Sequence, residues 1–324
     1  MYLNSKNKHA PERFDLKESF KPGIVTPILV MFVFALIVSV NFIPQFKSLG
    51  VSENPYIVAI VINILAYALP TAFYCILRGR KLMPFMRFRF PKFSSLLYIF
   101  HITVFVICGV ALLSVLGYKM APEAFSGTSI TSSASFAMSG GFFNEVYIIF
   151  AFALIPAFAE EVLFRGVVLT EYEQSGVIFA SVMSALMFAM SHFSLPRLPV
   201  YIFSGLVLSA AVFATRSLIT AILIHAVNNI AVIYSERFIL KIIDRENEST
   251  VLMLVILGVV LIISGMLSCF EARRIYSGYS EANEPTDRRT VKKQGFFMRF
   301  AENFVSPTFL ALIIIFILFT VVIK

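Results

Sequence analysis

The sequence predicts an all-α, polytopic transmembrane bundle of eight or nine spans. Three observations predict it. Apolar residues fill 58% of the 324 positions and charged residues only 14%, with a mean hydropathy of +0.84, well beyond the range of a soluble domain. The apolar residues are gathered into runs of the roughly 20 residues that a helix needs to cross the hydrocarbon core. Runs of that length are too long for barrel strands, and a chain in lipid must satisfy its own backbone hydrogen bonds, so the runs are helices.

In chain order, the spans are expected at 24–45, 56–77, 95–117, 143–169, 176–194, 199–214, 217–235, 251–270 and 305–323. The segment 199–214 is short, which leaves the number at eight or nine. The charged stretch before the first span includes Lys6, Lys8, Arg13, Lys17 and Lys21. That span is too long for a signal-peptide core and lacks a small-residue cleavage site, so it is expected to stay as an anchor. Residues 118–142 form a Ser/Gly-rich connection, read as a flexible outer loop, and 271–304 a charged linker. Composition divides the chain into N-terminal spans and an outer loop (1–142), a core rich in intramembrane polar groups (143–235), and C-terminal spans with the charged linker (236–324). There is no internal repeat and no heptad pattern.

The net charge of +8 has a topological explanation. Threading nine spans with the N-terminus inside places 20 of the 27 Lys and Arg on the inner side, as the positive-inside rule requires. This accounts for the basic balance without a nucleic-acid partner. The chain is thus expected to be an integral, multi-pass protein of a bacterial-type plasma membrane, with a cytoplasmic N-terminus. Arg78, Arg80, Lys81, Arg87, Arg89 and Lys92, interleaved with Phe85, Phe88, Phe90 and Phe93, are expected to grip anionic lipid headgroups. Cys75, Cys108 and Cys269 fall in apolar spans with no paired spacing and indicate neither a disulfide framework nor a zinc cluster.

Ionisable residues inside spans are costly and mark sites. "EEVLFR" at 160–165 places Glu161 and Arg165 four apart on one helix face, acid first, where they neutralise each other. Glu160 points about 100° away and has no local partner. "FAMSH" puts Phe188 and His192 on one face of the next span, and "HAVNN" does the same for His225 and Asn229. Glu160 and His192 lie symmetrically about Gly176, the expected turn, so a hairpin brings them to one level. At 1.5 Å per residue, Glu160 and His225 are both about 12–15 Å deep. Three helices therefore place polar groups in one layer. The Glu161–Arg165 pair could equally be a structural ion pair, and His225 with Asn229 interhelical glue. His101, Asn63 and Asn41 are read as solitary packing-level polar residues. With His192 at this depth, the turn "FSLPRLP" at 193–199 need not reach the surface, which implies a wet vestibule.

A carboxylate, two imidazoles and a carboxamide around a wet pocket suit water activation by Glu160 with His192 and oxyanion binding by His225 and Asn229. Glu160, His192 and His225 are also the residues that would hold zinc. The three motifs, in this order and spacing, resemble those of the CPBP family, the CAAX prenyl proteases and bacteriocin-processing enzymes. The resemblance covers roughly 143–235. It implies an intramembrane endopeptidase acting on a membrane-associated or lipidated peptide or protein, with Glu160, Glu161, Arg165, His192, His225 and Asn229 as site residues. The expected mechanism is glutamate-based, with no cofactor. The same polar cluster would also suit an ion- or proton-coupled transporter, or a silent immunity or binding protein, but no inverted repeat supports transport.

Overall fold

The computed structural model describes residues 21–42, 55–79, 82–125, 141–243, 248–285, 287, 289, 291 and 295–322. The first 20 residues, Arg80, Lys81 and most of the expected outer loop lie outside them. Among the described residues there are helices and no strands. The helices are α1 (Pro22–Phe42), α2 (Pro55–Ile62, continuing through a π-helical stretch Asn63–Ala68 into Leu69–Arg78) and α3 (Leu96–Met120). The long α4 (Phe142–Ser175) is interrupted by π-helical stretches at Ile149–Leu154 and Val162–Val168. Then come α5 (Val177–Met190), α6 (Leu198–Thr215), α7 (Leu218–Ile243), α8 (Glu248–Glu281), α9 (Phe296–Phe304) and α10 (Pro307–Val322).

Every expected span falls on a helix, but not every helix is long enough to cross alone. Six helices have the length and apolarity of a span, and the α9–α10 pair, bent by 44°, makes a seventh. The eight or nine expected spans are thus six or seven among the described residues. The difference lies in α1 and α5, whose apolar parts are Gly23–Ser39 and Val177–Met190. Fourteen residues in α5 rise only about 21 Å, against the ~30 Å of a hydrocarbon core. Gly176 makes the α4–α5 turn with φ of 105°, a left-handed conformation that Gly adopts without the Cβ penalty.

The arrangement centres on α4. Its middle packs on α2 and α7, and its last turns pack on α5. Helix α5 pairs with α6, and α3 supports α6, α7 and α8 from behind. Helix α8 is mostly exposed, presenting Val251, Leu252, Val255, Ile262 and Met266 outward, which is how a helix facing lipid reads.

The loops expected on the basic side meet at one end of the bundle. Arg87 donates to Glu173 at 2.6 Å and to Asp287 at 3.1 Å. Arg78 binds Glu171 at 2.6 Å, and Arg289 reaches the same carboxylate at 2.8 Å. Arg89 donates to Asp287 at 2.6 Å and to the Arg216 carbonyl at 2.6 Å, and Lys92 pairs with Glu284. The threading that puts these loops on one side is therefore geometrically consistent. Four of the six basic residues expected to meet lipid headgroups have carboxylates of the chain itself as partners. The other two, Arg80 and Lys81, lie outside the described residues. Arg87 and Glu173 are nearly fully buried, so losing Glu173 leaves Arg87 with the longer contact to the less buried Asp287 as its counter-charge. Glu173→Gln should lower stability by about 1–3 kcal/mol, the cost of weakening a buried charged donor's bonding, read as a fall in unfolding temperature in detergent. An unchanged unfolding temperature in Glu173→Gln would refute this.

Candidate active site

The polar residues of α4, α5 and α7 converge, and one carboxylate joins them. Glu161 and Arg165 are wholly buried and pair at 2.7 Å, as their i,i+4 spacing predicts. The same Glu161 oxygen also meets His225 Nδ1 at 2.8 Å. Arg165 donates a further bond to the Gly205 carbonyl of α6 at 3.2 Å and lies 4.4 Å from the Phe188 ring centroid of α5. The pair thus ties α4 to α5, α6 and α7. Sequence reasoning placed His225 with Asn229 and did not foresee its bond to Glu161, because that contact depends on how α7 is rotated against α4.

Glu160 faces the other way, into a cavity of about 500 Å³ that also holds Phe188, His192, Tyr201, His225, Asn228 and Asn229 on its wall. Glu160 Oε2 and His192 Nε2 stand 3.9 Å apart, the juxtaposition that the symmetry about Gly176 predicts. Both atoms are buried, and neither has a hydrogen-bond partner among the described residues. His192 follows the end of α5 and is fixed by rings. It stacks on Tyr201 at 3.9 Å and 12° and meets the edge of Phe188 at 5.0 Å. The Phe188 ring also meets that of His225, at 5.6 Å, so it packs against both imidazoles.

The residue after His192 is strained. Phe193 has φ of 47°, uncommon for a bulky residue, and persists because its surroundings fix it. Phe34 of α1 and Phe319 of α10 pack on its ring at 4.8 and 5.9 Å. The turn is anchored on its far side by Arg197, which donates to the Ala124 and Phe125 carbonyls at 3.0 and 3.1 Å. The two ends of the chain, distant in sequence from the motifs, thereby hold the His192 turn.

Four residues with a place here escaped the sequence reading. Tyr201 and Gly205 sit on α6, where neither is charged and no spacing rule flags them. A Cβ at Gly205 would lie 2.8 Å from the Ala185 backbone, so glycine allows the close approach of α5 and α6. Asn63 reads as a solitary polar residue in the sequence but lines the cavity, as does Asn228. His101 lines no part of it, and the Asn41 side chain lies outside the described residues.

The donor set can be tested against zinc. Among the described residues no three His, Cys, Asp or Glu side chains are grouped to hold a metal ion. With Nδ1 on Glu161, His225 keeps Nε2 for the cavity, as a ligating histidine also would.

Residues 142–231 match the family model described as "Type II CAAX prenyl endopeptidase Rce1-like". The match supports the CPBP family of CAAX proteases. No curated protein and no solved structure matches the chain. The CPBP-like segment runs from the start of α4 into α7 and contains the three sequence motifs. Helices α1–α3 and α8–α10 lie outside it, yet they supply Asn63, Phe34 and Phe319. Within the segment the two adjacent glutamates should behave differently. Glu161→Gln strands the buried Arg165 and should cost about 3–5 kcal/mol, whereas Glu160→Gln, which breaks no ion pair closer than 3.9 Å, should leave the unfolding temperature near wild type. Equal unfolding temperatures for the two variants in detergent would contradict this division.

Proposed function

We propose that the chain is a membrane-embedded endopeptidase in which Glu160 and His192 activate water against a peptide carbonyl. The observation that carries this reading is the Glu160–His192 pair, two unpartnered polar atoms 3.9 Å apart on a cavity wall. That separation is too long for a direct hydrogen bond. A water making bonds of about 2.8 Å to both atoms closes the triangle with an angle of roughly 90°, within reach of water's donor and acceptor directions. The family match independently supports a membrane protease.

In this reading Glu160 takes a proton from the water as its oxygen attacks the carbonyl carbon, and His192, held by the Tyr201 stack, orients that water. His225 and Asn229 face the developing oxyanion. With Glu161 accepting from Nδ1–H, His225 Nε2 carries a hydrogen only in the imidazolium form. Protonation of Glu160 accompanies the new oxyanion, so attack moves charge within the site without changing its total, and preorganised donors rather than reorganised solvent meet the new charge. Breakdown returns the proton from Glu160 to the leaving amine. No metal enters these steps. Substrates are taken to be membrane-associated peptides or proteins, with prenylated CAAX peptides the first class to try because the matching family is described as a CAAX prenyl endopeptidase.

Two measurements test the proposal. In single-turnover cleavage of a farnesylated CAAX peptide, or of a substrate found by comparing membrane-proteome fragments, Glu160→Gln should lose at least ~10²-fold. Asn229→Ala should lose roughly 10²–10³-fold in kcat with little change in KM, as when one oxyanion donor is removed. Wild-type turnover by Glu160→Gln would end the assignment. For the metal, activity should survive chelation and be independent of zinc content by elemental analysis. About one zinc per chain, with activity tracking its occupancy, would replace this mechanism by a metal-based one.

A further inference from the structure

The cavity wall carries two more carboxamides that the steps above do not use. Asn63 and Asn228 are each only 7% exposed, each lines the cavity, and the Oδ1 of each is buried with no hydrogen-bond partner among the described residues. The orientation of Asn63 is fixed, because its Nδ2 donates to the Ala59 carbonyl at 2.9 Å, so the oxygen is the free group. Asn63 also opens a π-helical stretch, a local widening that occurs often at functional sites. The two residues come from two different elements beside the glutamates: α2 at its π-helical stretch and α7 both pack on the α4 segment Ile155–Glu161.

An unsatisfied acceptor buried in apolar surroundings costs about 1–3 kcal/mol, and neither amide holds another helix through its oxygen. A peptide entering this cavity has the complementary need. Its carbonyl at the reacting centre is met by donors, His225 and Asn229, but each of its flanking N–H groups, stripped of water, must find an acceptor or cost several kcal/mol. Donors at the centre and acceptors beside it are what an extended main chain requires.

We propose that Asn63 and Asn228 are substrate-positioning residues, their carboxamide oxygens accepting main-chain N–H groups on either side of the peptide bond set against Glu160. This rests on the endopeptidase reading and specifies how its substrate is held: by backbone, in extended form, independent of side-chain identity at those two positions. Neither residue touches the reacting atoms, so each should affect binding and leave the chemical step nearly intact.

The test uses full-length Glu160→Gln protein in nanodiscs, which binds without turning over. The probes are a fluorescent farnesylated peptide ending in Cys-Val-Ile-Met, its unfarnesylated form, and versions of both N-methylated at one amide at a time. Asn63→Leu and Asn228→Leu should each weaken binding of the parent peptide about tenfold, the loss of one hydrogen bond. One N-methyl peptide should weaken binding about as much, and should lose nothing further in the matching Asn variant, because both changes remove the same bond. In protein with Glu160 intact, the Leu variants should raise KM and spare kcat. N-methylation tests the contact without altering the protein, so a Leu variant that fails to fold does not stop the experiment. Binding that is insensitive to every single N-methylation, or losses that simply add in the double combinations, would overturn the inference and leave the endopeptidase reading standing. If neither Glu160→Gln nor wild type binds these peptides, the same N-methyl series is run on the substrate identified from membrane-proteome fragments; absence of any fragment that depends on Glu160 would overturn the endopeptidase reading, and this inference with it.

Discussion

One buried carboxylate, Glu161, holds two partners at once, and the polar interior of the bundle depends on it. Arg165 is wholly buried and has no access to water, so without Glu161 its charge would be uncompensated in a low-dielectric interior. The single Glu161 oxygen that meets Arg165 at 2.7 Å also meets His225 at 2.8 Å. The remaining contacts follow from that bond. Arg165, held in place, reaches the Gly205 carbonyl and lies against Phe188. Phe188 in turn presents its ring to both imidazoles. Four helices are oriented by an ion pair that no apolar packing could replace without also releasing the histidine.

The second ionic assembly, at the basic end, solves a different problem. Short loops there must bring α2, α4, α6 and the linker after α8 into register, and the charges are shared among several partners. Glu171 takes hydrogen bonds from Tyr74, Arg78 and Arg289, and Asp287 takes them from Arg87 and Arg89. The Leu218 amide, at the start of α7, donates to the Arg87 carbonyl at 2.8 Å, and Arg87 has positive φ. The loop that begins α7 is therefore fixed by the same residue that anchors the linker. Because α7 carries His225, the register of the site is set partly at this end. Four residues of the basic stretch expected to meet lipid headgroups, Arg78, Arg87, Arg89 and Lys92, thus also fasten the chain to itself.

What sequence could reveal followed the reach of its rules. Four-residue spacing brought Glu161 to Arg165, and equal distance from Gly176 brought Glu160 to His192, because both are local counts along one helix or one hairpin. The places of Tyr201, Gly205, Asn63 and Asn228 were not legible, since each depends on the rotation of one helix against another. The π-helical stretches make this harder: each adds about one residue to a turn, so facing cannot be counted across Asn63–Ala68 or Val162–Val168 at 100° per residue. Span boundaries were legible and span number was not, because hydropathy marks where a helix is apolar but does not say whether 14 residues in α5 suffice to cross.

The shortness of α5 is also what places an open turn beside the cavity at this depth. A helix rising only about 21 Å must end within the bundle, and its following turn, 191–197, then exposes backbone groups where lipid cannot satisfy them. The structure deals with this turn in two ways. On one side, Phe193 is packed by Phe34 and Phe319, which excludes lipid from the strained backbone. On the other, Arg197 both bonds the carbonyls at the end of Pro122–Phe125 and lines the cavity, which gives the turn a polar wall. A longer α5 would bury His192 in continuous helix, with its ring facing a neighbour. Ending the helix two residues before the histidine sets that ring 3.9 Å from Glu160 on the cavity wall.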